Sequence, residues 1–398
     1  MVNPLLVFWL TPFAYAGMTL AGHVAYRLRR KRLGRREKLA RVIFQIPTIG
    51  NVEECNTIIE KVRNYNLPVP LETWVVIDAK HYRPDMRFNC DRLVVVPEDF
   101  KTACLFKSRS LEYARRLRLA EGYRDYIVVQ CDDDSTPSRE FMLEAIEVDA
   151  DVMIGTITPR PLGHLLPDYE RPVACGMTCL LFTNIGVPVW GHGEGMVISE
   201  RAERLVSYEP REGQYLISSE DLFYLHRASY VAYAEDQYYV QRAKGEGLKI
   251  YASPKRVFIT PPLNMKDALR QRRRWLWGHL RLIRGRMLPW RSLVVVGLAE
   301  TLGLVVYAGA TVLAVLAPFG VISLQPHELV LSYLSLITWF AFRGFNIGRV
   351  MGLWYGVLGA LMSFVTVTLN FTYHLAGLLM GDPRRFEVIK KYVPKGGV

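Results

Sequence analysis

Apolar and polar positions follow three textures along this chain, and each predicts a different kind of structure. Pro4 to Tyr26 is an uncharged, mostly apolar stretch of 23 residues, long enough to cross a bilayer as a helix. From Ala40 the apolar residues gather into short runs rich in Val and Ile. Val42–Ile46, Trp74–Ile77, Leu93–Val96 and Tyr126–Gln130, bounded by Pro, Asp or Asn, read as strands. Between them, Val52–Tyr65 and Cys104–Glu121 carry helical spacing. Strand and helix in alternation predict an α/β fold, a mostly parallel sheet with helices on both faces. Ligands of such sheets gather at the carboxyl ends of the strands, which puts Asp78 and the run Cys131–Ser135 at the ligand edge. Beyond Trp290 the chain turns lipid-like again. Leu293–Phe319 is interrupted only by Glu300, Leu329–Phe342 ends at Arg343, and Val350–Met380 is nearly free of charge. The last run reads as a hairpin, a re-entrant element or a single span.

Charge sets the expected orientation. Lys and Arg outnumber Asp and Glu by 50 to 38, a net +12. Nine of the fifteen residues from Arg27 to Arg41 are basic, and eight arginines lie between Arg270 and Arg291. Basic clusters beside apolar spans mark the cytosolic face. A cleaved signal peptide carries its charge before the apolar run, and here the charge follows it. The expectation is an integral membrane protein with its amino terminus outside the cytosol. The expected divisions are an anchor over 1–27, a cytosolic α/β domain over 28–265, and an interfacial amphipathic helix over 266–291. A transmembrane region over 292–381 and a basic cytosolic tail over 382–398 follow. No module for stacking bases on a basic groove is present, so nucleic acid is not the expected partner. The six cysteines are scattered and read as reduced thiols. Only Cys175 and Cys179 are close, with no histidine pair at zinc spacing.

Three groups of residues carry candidate chemistry. Asp132, Asp133 and Asp134 follow a predicted strand directly. Alternate carboxylates there can share a hard divalent cation that bridges to diphosphate oxygens, or the triplet can be an acidic turn before the helix starting near Ser138. Gln271-Arg272-Arg273-Arg274-Trp275 offers guanidinium forks for phosphate and an indole face for a sugar ring; alone it better suits a basic membrane-surface helix, and the acidic triplet upstream turns the balance to chemistry. A carboxylate base is offered twice, in Glu220-Asp221 and in Glu235-Asp236, each of which also suits a helix start. Trp190 in Trp190-Gly191-His192-Gly193-Glu194-Gly195 is a candidate for stacking on sugar, and the same run suits a plain turn. His192 matches no metal set.

In this order, the acidic triplet, Glu-Asp and Gln271–Trp275, followed by apolar helices, resemble the family 2 inverting glycosyltransferases, which include cellulose and hyaluronan synthases. The chain looks most like Egghead-type β-mannosyltransferases through Val94–Pro97, Lys101-Thr102, Leu105–Lys107, Leu111–Tyr113, Gly195–Val206 and Leu269–Trp275. The likeness covers roughly residues 40–290. It implies a nucleotide-diphospho-sugar transferase (GT-A-like) domain. It implies a divalent cation, Mn2+ or Mg2+, on Asp132 and Asp134, and a nucleobase contact at Asp78. Lys107 falls at a nucleotide contact, and Gln271, Arg274 and Trp275 fall beside the acceptor and diphosphate. Asp236 is the implied base, because it keeps the family's distance to Trp275. Asp221 keeps the distance from Gly195 instead.

The implied reaction moves a sugar from a nucleotide-sugar, GDP-mannose or a UDP-sugar, to a hydroxyl of a lipid-linked or glycan acceptor at the lipid bilayer. Inversion gives a β-linkage. A processive polysaccharide synthase and a polyprenyl-phosphate sugar synthase are the rival enzymes. A membrane transporter or scaffold is the non-enzyme alternative.

Overall fold

A computed structural model of the chain describes residues 5–104, 106–209, 234–284, 324–381 and 389. The first helix, α1 (Leu5–Leu33), takes in the uncharged stretch from Leu5 onward and continues through the basic residues Arg27 to Arg32. The α/β region then alternates as the periodicity predicts: β1 (Arg41–Thr48), α2 (Val52–Arg63), β2 (Leu71–Asp78), β3 (Arg92–Val96), α3 (Phe106–Ala120) and β4 (Tyr126–Gln130). Helix α2 buries Cys55, Ile58, Ile59 and Val62, spaced to form one apolar stripe against the sheet.

β5 (Ser135–Pro137), α4 (Arg139–Glu147) and β6 (Val152–Pro159) follow. A 3-10 turn (Leu166–Tyr169), α5 (Glu170–Ala174) and a π-helix (Cys175–Thr183) come next, before β7 (Met196–Ser199), α6 (Glu200–Leu205), α7 (Glu235–Gly245) and β8 (Ile250–Ile259). The eight strands form one sheet in the order β3-β2-β1-β4-β7-β6-β8-β5. The β3-β2-β1-β4 half is parallel throughout. β7 runs antiparallel to both β4 and β6, β6 is parallel to β8, and β5 is antiparallel to β8. The central strands are buried along nearly their whole length, as in Val42–Ile46, Trp74–Ile77 and Ile127–Val129. A sheet covered on both faces requires this.

The long amphipathic helix α8 (Met265–Arg284) carries the arginine-tryptophan motif. After it come α9 (Pro326–Met351), α10 (Leu353–Leu361) and α11 (Ser363–Leu379). Among the described residues, α9 is long and apolar enough to cross a membrane, and α10 with α11 passes the same test as one unit bent by 69°. The run Val350–Met380, expected as a hairpin, a re-entrant element or a single span, is divided among the end of α9, α10 and α11. The expected span Leu293–Phe319 and the expected tail from 382 on, residue 389 apart, lie outside the described residues, as does Asp221.

Candidate active site

The carboxyl ends of β1, β2 and β4 open into a cavity of about 1280 Å³. The turn after β4 forms part of its lining. Cys131 still donates its backbone N–H to Gln45 on β1, at 3.1 Å, so the chain leaves the sheet at Asp132. Neighbouring acids then diverge. Asp133 accepts hydrogen bonds from Thr48 Oγ1 and Asn51 Nδ2, both at 2.7 Å, and so ties the turn to the start of α2. Asp134 Oδ1 accepts from Ser135 Oγ at 2.9 Å. Burial pushes Asp132 up to about 7; Lys107 opposes the shift, and Asp134 and Glu194 add to it. Two crowded oxygen donors that disfavour each other's charge fit a hard divalent cation, whose charge would relieve that repulsion.

Lys107 joins two sides of the cavity. It is the second residue of α3, directly after Phe106, whose φ of 52° is a left-handed conformation that a bulky residue adopts only under constraint. Lys107 Nζ lies 2.6 Å from Asp132 Oδ1 and 2.9 Å from Glu235 Oε1. Burial alone would pull its ammonium down, but Asp132, Glu235 and Asp236 hold it protonated well above the usual range.

Asp236 stands in the first turn of α7. Its Oδ2 accepts from the Gly193 backbone at 2.7 Å, and its Oδ1 from the Gln237 backbone at 2.8 Å. Burial and then Glu235 push Asp236 up to about 6, against the pull of Lys107 and the Gly193 N–H. The glycines of Trp190–Gly195 now have a physical reason. A Cβ on Gly191 would lie 2.5 Å from the Asp236 carbonyl, and one on Gly193 would lie 2.7 Å from Lys107 Nζ. At Gly191 the obstacle is backbone, so only a bare Cα lets the loop close there, whereas at Gly193 the lysine tip would have to move. Trp190 packs against His279, ring centroids 5.1 Å apart.

The motif on α8 divides its labour. Arg272 is buried and faces the protein, donating to Asp168 Oδ1 at 2.7 Å, Asn370 Oδ1 at 2.9 Å, and Pro167 O and Gln271 Oε1 at 3.1 Å. Arg273 donates to the Gly381 carbonyl at 2.8 Å. Trp275 has guanidiniums against it from Arg272, at 4.4 Å, and Arg171, at 4.9 Å. Arg171 also pairs with Glu194 at 2.6 Å. Asp78, at the end of β2, is buried and paired with Arg109.

Asp78, Lys107, Asp132, Asp134, Trp190, Asp236, Gln271, Arg274 and Trp275, all singled out in the sequence, line this one cavity. Sequence reasoning missed Arg109, Arg171, Glu194 and Glu235 as its charged neighbours. Glu235 was visible only as the companion of Asp236, and nothing local marked Arg171. The sequence also gave no sign that His192 reaches Cys175 and Cys179. The π-helix and the glycine loop bring it to 3.4 and 3.3 Å from their sulfurs.

An α/β sheet presenting clustered acids at its strand ends, closed by an arginine-tryptophan helix, defines a sugar-transferring class of enzyme. The family described as glycosyl transferase family group 2 matches residues 127–376, and the chain belongs to it. It is 23% identical over 223 residues to the Beta-1,4-mannosyltransferase egh of Drosophila melanogaster, over 52% of this chain and 45% of that relative. The chain thus spans under half the length of the curated relative it matches. Among solved structures it is similar to the mannosyltransferase PcManGT from Pyrobaculum calidifontis in complex with GDP-Man and Mn2+. That likeness has a TM-score of 0.43 and 17% identity, covering 89% of this chain and 99% of that one. For S. aureus TarS 1-349 the TM-score is 0.33 at 10% identity, over 89% and 97%.

Proposed function

We propose that this glycosyltransferase is a membrane-attached inverting enzyme. In this reading it moves mannose from a nucleoside diphosphate, GDP-mannose in the first instance and a UDP-sugar otherwise, to a hydroxyl of a lipid-linked or glycan acceptor. The observation that carries the reading is the joining of Asp132 and Glu235-Asp236 through the single ammonium of Lys107. Base and cation site then stand within one side chain's reach. A divalent cation, Mn2+ or Mg2+, held by Asp132 and Asp134 would neutralise the charge growing on the departing diphosphate. Asp236 takes the proton from the acceptor hydroxyl; a carboxylate held near 6 is ionised at neutral pH yet more basic than an ordinary one. Attack from the face opposite the diphosphate inverts the anomeric carbon, giving a β-linked product. Asp78 faces the nucleobase, Lys107 offsets charge among the acids, and Arg274 offsets charge on the leaving group. Gln271, Trp275 and Trp190 position the acceptor sugar.

The Drosophila relative's name supports mannose. Membrane attachment is supported by the apolar side chains exposed on α9 to α11, such as Ile337 at 62% and Trp354 at 82%, and by the basic residues ending α1. In this reading the basic residues face the cytosol, and the catalytic domain lies there with them. The test is radiolabelled transfer from GDP-mannose by Asp236→Asn. Loss of a positioned base costs roughly 10²–10⁴-fold, and turnover near that of the parent removes the base assignment.

A further inference from the structure

The transfer chemistry leaves unused a second set of metal-ligating side chains in the same cavity. Cys175 and Cys179, one turn apart on the π-helix, are both buried. His192, from the glycine loop, points its Nε2 at both sulfurs, at 3.4 and 3.3 Å. The three ligand atoms lie within 4.8 Å of one another. Zn–S bonds of ~2.3 Å and Zn–N bonds of ~2.0 Å at tetrahedral angles require S to N separations of roughly 3.5 Å. The nitrogen is therefore placed where a tetrahedral ion shared with the two sulfurs needs it. An imidazole poised nearly equally between two sulfurs also suits an ion better than a disulfide, which would leave the ring without a role.

The surroundings hold this geometry in place. Residue 176, between the two cysteines, is a glycine pressed against Asn346 of α9, where an added Cβ would meet Asn346 Oδ1 at 1.9 Å. On the loop, Gly195 donates its backbone N–H to the His192 carbonyl at 3.1 Å. Gly193 is held by Asp236, and Gly191 donates to Gln237 Oε1 at 2.5 Å. π-Helical turns are rare and recur at functional sites.

We propose that Cys175, Cys179 and His192 bind one zinc(II) ion, with its fourth position open to the active-site cavity. Two thiolates and an imidazole select a borderline-soft tetrahedral ion, whereas the carboxylates Asp132 and Asp134 select a hard one. One cavity then sorts two ions by ligand chemistry. The zinc ion staples the Trp190–Gly195 loop to the π-helix and so acts as a positioning element for the Gly193 N–H that Asp236 accepts. Three protein ligands with an open fourth position is the arrangement of zinc sites that also bind water or a substrate oxygen.

The test uses the full-length protein in detergent, stripped of metal under reducing conditions and titrated with cobalt(II). The expected result is one equivalent of tetrahedral d–d absorption with a thiolate-to-cobalt charge-transfer band, reversed by zinc. Cys175→Ser and Cys179→Ser should each weaken binding by more than the roughly 10–100-fold typical of changes outside the ligand set, while Asp132→Asn retains the band. As a check independent of variant folding, zinc should protect Cys175 and Cys179 of the parent protein from alkylation, as mapped by mass spectrometry. A cobalt spectrum without thiolate bands overturns the proposal. So do bands that survive loss of both cysteines, or thiols that label equally with and without zinc. Recovery of a Cys175–Cys179 disulfide as the stable state also overturns it, in favour of a redox pair. No readout depends on sugar transfer, so the two proposals fail separately.

Discussion

Replacing Arg272 with Met separates the two jobs that the arginine run on α8 can do. Arg272 and Asp168 form an ion pair at 2.7 Å with side-chain exposures of 2% and 0%. Three further acceptors take most of the guanidinium's other N–H groups, while Asp168 Oδ2 has no hydrogen-bond partner of its own among the described residues. Removing the cation leaves a buried carboxylate uncompensated, which costs about 3–5 kcal/mol. At ~2–4 °C per kcal/mol for a domain of this size, the midpoint of unfolding falls by roughly 6–20 °C. Adding Asp168→Leu should return most of that loss, because replacing both members of a buried pair by apolar groups is often close to neutral. The assay is intrinsic-fluorescence melting of the detergent-solubilised protein, for the parent, both single variants and the double. If Arg272→Met melts within about 1 °C of the parent but no longer transfers sugar, the guanidinium acts on substrate and the structural assignment is wrong.

Transfer should rise with pH, tenfold per unit, up to about 6 and then level, because Asp236 accepts a proton only when ionised; a flat profile across that range excludes it as base. The same raised carboxyl favours the protonated form in the fold, so its contribution to stability falls as pH climbs from about 4, its ordinary range, to about 6. Asp236→Asn should therefore be more stable than the parent above pH 6, by about 3 kcal/mol, and below pH 4 the two should converge. Gly191→Ala drives a Cβ to 2.5 Å from the Asp236 backbone. It should cost about 1–3 kcal/mol by overpacking and depress transfer, both read on the same sample by melting and by product counts. Asp134→Asn should weaken Mn2+-supported binding of a nucleoside diphosphate by about tenfold or more, the scale of one charge-assisted contact, and calorimetry with and without manganese measures it.

Much of this arrangement was legible in the sequence for a local reason. The parallel strands are short, buried on both faces and continuous in Val and Ile, so Val42–Ile46 and Tyr126–Gln130 stand out without any tertiary knowledge. The acids after β4 then follow from the rule that strand ends face the ligand. The antiparallel insertion was not legible, because β7 is only four residues long and its partners lie far away in the chain. The partners of Arg171, Arg109 and His192 also went unseen, since each is supplied by a different element. The arginine run was readable as a motif but not as a division of labour. Burial of Arg272 depends on Asp168 and Asn370, about a hundred residues to either side.

The turn and short helix at Leu166–Ala174 explain why the apolar helices belong to the site. Asp168 holds α8 through Arg272. Two residues on, Glu170 pairs with Arg343 of α9, which is 1% exposed, and accepts from Thr366 of α11 at 2.8 Å. The next residue, Arg171, turns inward to Glu194 and Trp275. A buried arginine in an apolar helix is tolerable only with its counter-ion in place, so α9 is held to one position against the α/β sheet. Its neighbours Val350, Met351, Tyr355, Asn370 and His374 consequently form a wall of the cavity. The apolar helices thus shape the cavity that holds Asp236 as well as flanking it.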